Sequence, residues 1–162
     1  MTKPIQIKNL TLGAGIPKIC VPLTGTTEEK ICQEAEDAKK AGADLVEWRA
    51  DFYEELQNDA ACTQVLEKIS QILKETPLLF TIRTKEEGGN IAISLEAYKN
   101  CNLNAARSGK TDLVDVEVMG NPVEKKKLVA DLQKTGVKVI ASSHDFEKTD
   151  SQELLLKRFE KM

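Results

Sequence analysis

The strongest constraint in this chain is a repeat of kind. A short β-branched run ends in polar residues, and a longer amphipathic run follows it. The pattern occurs five times at a spacing of about 25–30 residues, the size of one βα unit. The strand-like runs are Lys18 to Thr24, Asp44 to Ala50, Pro77 to Arg83, Asp112 to Val118 and Lys138 to His144. Alternation of this sort implies parallel strands joined by right-handed helical crossovers.

Local signals set the helix ends. Thr26 is the expected N-cap of the first helix, with Glu29 as capping-box partner, and Gly42 stops it after Lys39 and Lys40. The second helix is expected over about residues 60–75, ending before Thr76-Pro77 because the residue ahead of a proline disfavours α geometry. A third runs from about Ser94 to Ser108, closed by Gly109. Asn121, Pro122 and Glu124 supply a cap, an N1 proline and an acidic first turn for the fourth, which ends at Gly136. Asp150, with Glu153, is the expected cap of a last helix reaching Met162, which carries no stop signal.

An open doubly wound sheet and a (β/α)8 barrel both fit this rhythm. No GxGxxG follows the first strand, which weakens a dinucleotide-binding sheet. A complete barrel needs eight units and about 200–250 residues. The 162 residues are therefore expected to form one domain, about three units short of a barrel.

Composition excludes some functions. Apolar residues make up 41% and charged residues 30%, the mix of an ordinary globular domain. A net charge of −3 argues against nucleic acid as a partner. No apolar run approaches the roughly 20 residues of a membrane span, and the first residues lack the apolar core of a secretory signal. No membrane partner and a cytoplasmic location are the expectations. Cys20, Cys32, Cys62 and Cys101 are widely spaced and accompany a single histidine. They read as small buried thiols in a reducing compartment rather than a zinc site.

Strand side chains alternate between faces, so residue parity shows which polar groups meet. Glu47, Arg49 and Asp51 share one face, as do Thr81 and Arg83, Asp115 and Glu117, and Ser142 and His144. Each set lies towards the carboxyl end of its strand, where parallel α/β folds bind ligands. The bland reading is structural ion pairing, for example Glu47 with Arg49 or Arg83. The sharper reading is a site, because the lone His144 arrives at the same rim and an imidazole titrates near neutral pH. The segment Glu86 to Gly89 is either a surface turn or the carrier of a carboxylate that orients His144.

Four stretches resemble one family, the type I 3-dehydroquinate dehydratases. Val46-Glu-Trp-Arg-Ala-Asp51 looks like its EWRxD motif, and Phe80-Thr-Ile-Arg-Thr-Lys-Glu-Glu-Gly-Gly89 like its F-x-x-R-[ST]-x-x-E-G-G stretch. Asp115-Val-Glu-Val118 with Val139-Ile-Ala-Ser-Ser-His-Asp-Phe146 resembles the signature around its histidine. Ile7-Lys-Asn-Leu-Thr-Leu-Gly13 and Pro17-Lys-Ile-Cys-Val21 fit its opening hairpin and first strand. The resemblance implies an α/β fold of the (β/α)8 TIM-barrel kind, incomplete, with about five βα units and an N-terminal hairpin. It implies dehydration of 3-dehydroquinate to 3-dehydroshikimate in the shikimate pathway, through a lysine Schiff base, by a cytoplasmic homodimer that uses no metal or organic cofactor. By the same resemblance His144 is the general acid/base and Glu87 the carboxylate that orients it, while Glu47, Arg49 and Arg83 hold the substrate's hydroxyl groups.

The chain also departs from the pattern. The family lysine is expected on the strand after His144, and neither Lys138 nor Lys148 occupies that slot. The family's later arginine and Ser/Gln loop contacts are likewise missing. Pro22 stands where many members carry serine, and Ser143 where they carry Asn, His or Tyr. The chain by itself is therefore expected to be nearly inactive. A lysine-dependent aldolase barrel and a non-catalytic barrel fragment are the rival readings.

Overall fold

A computed structural model describes residues 3–162. The chain opens with a hairpin, β1 (Ile5–Ile7) and β2 (Leu10–Leu12), in antiparallel register with Ile7 opposite Leu10. Five strand–helix units follow. They are β3 (Cys20–Leu23) and α1 (Glu28–Lys40), β4 (Leu45–Arg49) and α2 (Asp59–Leu73), β5 (Leu78–Thr81) and α3 (Leu95–Arg107), β6 (Leu113–Glu117) and α4 (Pro122–Lys134), then β7 (Lys138–Ser142) and α5 (Gln152–Phe159).

The five later strands form one parallel sheet in the order β3-β4-β5-β6-β7. Spatial order equals sequence order, so each right-handed crossover steps in the same direction and lays its helix on the same face. Accordingly α1 packs on α2, α2 on α3 and α3 on α4. A doubly wound sheet reverses direction and places helices on both faces; this sheet is singly wound.

Side-chain alternation builds two apolar layers. Outward residues Leu23, Val46, Trp48, Phe80, Val114 and Val116 join the helix residues Ile31, Leu66, Ile69, Tyr98 and Leu128 in the main core. Trp48 meets Phe80 edge to face, with ring centroids 5.5 Å apart. On the other face, Leu45, Leu79 and Leu113 are covered by Ile7 and Leu10 of the hairpin. Lys8 pins that hairpin down through its Nζ, 2.9 Å from Asp112 Oδ2 and 3.0 Å from the carbonyl of Lys74. The apolar residues therefore fill the amino-terminal half of this face, and the polar sets are left at the carboxyl end.

Several helix ends differ from expectation. Thr27, not Thr26, occupies the N-cap of α1, and its side chain makes no capping bond. Glu34 reaches back instead, accepting the N–H groups of Thr24 at 2.7 Å and Gly25 at 2.9 Å. That tight return needs Gly25, since a Cβ there would lie 2.7 Å from the Ile31 nitrogen. Helix α2 ends at Lys74 with φ 55°, two residues ahead of Thr76-Pro77. Asn121 stands at the N-cap of α4 in left-handed geometry without a side-chain bond. Ser151 caps α5 by accepting from the Leu154 N–H, while Asp150 pairs with Arg158 and Lys148.

The thiols also divide. Cys62 and Cys101 are buried and Cys32 is half-buried, but Cys20 on the β3 edge is exposed. Burial pushes the Cys62 thiol up to about 12. No described helix is long and apolar enough to cross a membrane.

Candidate active site

The site grows from the carboxyl ends of β4 to β7. After Arg49 the chain turns into a short 3-10 segment, Ala50–Phe52, which buries Asp51. Asp51 grips Arg49 with both oxygens, Nε–Oδ1 at 2.8 Å and NH2–Oδ2 at 2.9 Å. It also accepts the N–H groups of Arg83 at 3.2 Å and Asn90 at 3.1 Å. A carboxylate with four donors orders both arginine segments at once. Its hydrogen bonds hold the Arg49 guanidinium still more firmly in the charged form.

Arg83 lies just beyond β5, buried among acids. NH2 donates to Asp115 Oδ1 at 3.0 Å, and NH1 donates to Glu117 Oε1 at 3.2 Å and Ser142 Oγ at 3.0 Å. The Ser142 hydroxyl in turn donates to Asp115 Oδ1 at 2.7 Å. Glu117 is completed by the Thr84 N–H and hydroxyl, each at 2.8 Å. Burial pushes the Asp115 carboxyl above its ordinary range, and Arg83 works against that rise.

Glu87 Oε2 accepts from the His144 backbone N–H at 2.9 Å and lies 3.0 Å from its Nδ1. An ionised carboxylate only accepts, so in the neutral ring Nδ1 carries the proton and Nε2 the lone pair. Glu87 is also 3.7 Å from Arg83 NH1, which joins the imidazole to the buried acid network. The two glycines after Glu87 make this approach possible. A Cβ on Gly89 would fall 1.9 Å from the Arg83 carbonyl oxygen. Gly88 takes φ 80°, and a Cβ there would meet the Phe146 ring at 2.4 Å. Phe146 stacks on His144 at 6.2 Å and is 77% exposed.

The structure therefore brings Arg83, Glu87 and His144 together and ties Arg49 to Arg83 through Asp51. Glu47 shares Arg49's strand face but pairs with neither arginine among the described residues; Arg49 takes Asp51, and Arg83 takes Asp115 and Glu117. The bland reading, an ion pair of Glu47 with Arg49 or Arg83, does not hold among the described residues, because Asp51 makes a bidentate contact with Arg49. Glu47 sits beside Pro22 and Leu79 in the sheet register and is half-buried. Ser143 lines, together with His144, a cleft of about 340 Å³ that also holds Glu86, Glu87 and Arg158. No lysine lines that cleft. Lys138 and Lys148 are exposed, and Lys148 pairs with Asp150 at 3.6 Å.

Sequence reasoning passed over the groups that do the anchoring. Asp51, Asp115, Glu117 and Ser142 were on the right face by parity, yet nothing in the sequence separates an arginine anchor from a ligand contact. Thr84 fell on the [ST] position of the F-x-x-R-[ST]-x-x-E-G-G stretch, but nothing in the sequence marked it as an anchor for Glu117. Chemically, the assembly is a carboxylate-oriented imidazole with a free basic nitrogen at a rim of fixed guanidinium groups, suited to moving a proton on a polar substrate.

Comparison with known proteins points one way. The family model for type I 3-dehydroquinase matches residues 19–162. A 3-dehydroquinate dehydratase of Listeria welshimeri is 44% identical over 158 residues, covering 98% of this chain and 63% of the relative. The chain thus spans under two thirds of that relative's length. The crystal structure of a type I 3-dehydroquinate dehydratase from Clostridium difficile, carrying covalently modified comenic acid, superposes with a TM-score of 0.93 at 39% identity, over 96% of this chain and 62% of that one. A deoxyribose-phosphate aldolase from Toxoplasma gondii aligns at TM-score 0.62 with 13% identity, a likeness of fold alone.

Proposed function

Because this chain belongs to the type I 3-dehydroquinase family, we propose that its site serves the dehydration of 3-dehydroquinate to 3-dehydroshikimate. The observation that carries the reading is the Glu87–His144 pair, held at 2.9 and 3.0 Å with Nε2 left as a base. His144 takes the proton from the carbon next to the substrate carbonyl. With that carbonyl converted to an iminium by a lysine amine, the C–H electron pair moves into the iminium, which acts as electron sink. The hydroxyl on the neighbouring carbon then leaves as water, protonated by the imidazolium. Glu87 keeps the ring in one tautomer through both transfers. Glu47, Arg49 and Arg83 hold the substrate's hydroxyl groups, with the arginines fixed in advance by Asp51, Asp115 and Glu117.

Family membership also supports reading the singly wound sheet as an arc of a (β/α)8 barrel, within a single domain over residues 1–162. The working form is a cytoplasmic homodimer. Lys138 and Lys148 stand away from the His144 cleft, so the chain alone binds 3-dehydroquinate but turns it over little.

Two measurements test this. In chain labelled at its single histidine, 3-dehydroquinate moves the His144 ring resonances, and Arg49→Ala weakens the response. A spectrum unchanged at saturating substrate would overturn the binding role. Borohydride added with substrate leaves no stable lysine adduct by mass spectrometry; an adduct on any lysine would sink the claim of near-inactivity.

A further inference from the structure

Lys125 on α4 is a lysine only 7% exposed, and among the described residues it has no carboxylate in ion-pair contact. Its Nζ lies over the Tyr98 ring, 3.6 Å from the centroid. Tyr98 is itself buried in α3, and its hydroxyl accepts the Glu117 N–H at 3.1 Å. Lys125 borders a cavity of about 340 Å³ together with Thr84, Glu86, Glu87, Tyr98 and Glu117. A charged amine with this burial is costly unless its charge is used.

We propose that Lys125 is a positioning residue for the His144 proton-transfer centre: its ammonium, seated on Tyr98 behind Glu117 and Glu87, offsets an excess of buried carboxylate and leaves the imidazole free to give up its proton. This rests on the reading of His144 as the group that moves the proton. The charge count carries it. Asp115, Glu117 and Glu87 crowd around one buried guanidinium, that of Arg83. An anionic cluster with too few cations binds protons more tightly, and the nearest base is His144, which touches Glu87. A histidine that never loses its proton is no base.

The groups facing Lys125 are Glu86 and Glu87 from the β5–α3 connection and Glu117 and Asp115 from β6. Those facing His144 are Glu87, Glu86, Asp115, its neighbour Asp145, and Arg158 from α5. Seating the ammonium on a ring face matters. It supplies charge without taking a carboxylate oxygen, so Glu87 Oε2 stays with His144 and both Glu117 oxygens stay with Thr84 and Arg83. Burial lowers the Lys125 ammonium below the ordinary lysine value, while the facing carboxylates pull it back up.

The test uses the single histidine as reporter. The ring resonances of His144 are followed against pH in the parent, Lys125→Met and Lys125→Arg. Methionine keeps the packing on Tyr98 and removes the charge; arginine keeps the charge. The titration moves to higher pH in Lys125→Met and returns to the parent position in Lys125→Arg. Overlapping curves for parent and Lys125→Met overturn the proposal. If Lys125→Met does not fold, the parent chain with labelled lysines decides. There Lys125, assigned by its loss in Lys125→Arg, gives up its proton at lower pH than the exposed lysines, and coincident titration refutes the role. Neither measurement uses 3-dehydroquinate. Failure of the dehydratase reading would appear in the substrate titration and leave the imidazole shift in place.

Discussion

Glu87 holds His144 by two bonds to one oxygen, from the backbone N–H at 2.9 Å and from ring Nδ1 at 3.0 Å. The pair spans 57 residues of sequence. It locks the loop after β5 to the end of β7, so the tautomer of the ring and the path of the chain are fixed by the same atom. Glu87→Ala removes the acceptor of a charge-assisted hydrogen bond, an interaction worth about 1.5–3 kcal/mol. Amide exchange at His144 is expected to accelerate about 10- to 100-fold, with core amides such as Val114 unchanged. Equal exchange in parent and variant would show that Glu87 does not hold this backbone.

Gly89 is set by close approach rather than by backbone angle. Its missing Cβ would overlap the Arg83 carbonyl oxygen at 1.9 Å. Gly89→Ala must push the loop off Arg83 and is expected to cost about 3 kcal/mol, the upper end for forced overpacking. Gly15→Ala is the control, at φ 72° with nothing within 4 Å; it is expected to cost about 1 kcal/mol from backbone strain alone. Urea unfolding of the two variants measures the difference, and equal losses would contradict the loop packing.

Asp115 links stability to pH with a definite sign. Burial raises its carboxyl in the fold, so the folded chain binds this proton more tightly than the unfolded chain. That contribution is fully present below the unfolded value of about 3.9 and is lost as pH rises through the raised folded value. Asp115→Asn removes the titration along with the Arg83 contact. The parent's stability advantage over Asp115→Asn is therefore expected to be larger near pH 4 than near pH 7, by urea unfolding at both. A gap that widens toward neutral pH would mean that Arg83, not burial, dominates this carboxyl.

The rim was legible because polar residues gather where the apolar strand runs end. Parity places Glu47 and Arg49 within β4, while Arg83 and His144 lie just past the ends of β5 and β7, where the expected strands ran longer than the observed ones. A carboxylate from the Glu86 to Gly89 segment was one of two readings of that turn, and the choice of Glu87 came only through the resemblance, since an acid in a glycine-containing turn looks like any surface acid. The helix caps were misread where two candidates adjoin. At Thr26 and Thr27, and again at Asp150 and Ser151, the choice depends on how the chain enters the helix, and in the second case on Arg158 drawing Asp150 away.

By itself, the sequence determined the order of elements, the parallel sheet and the polar ends of its strands, because periodicity and turn chemistry are local properties. Tertiary structure decided everything that depends on distance between units. It wound the sheet one way, gave Arg49 to Asp51 instead of Glu47, and enclosed Arg83 among Asp115, Glu117 and Ser142. It also set Lys125 on Tyr98 behind them. Partners in an ion pair are chosen by geometry and desolvation, and neither exists until the strands stand side by side.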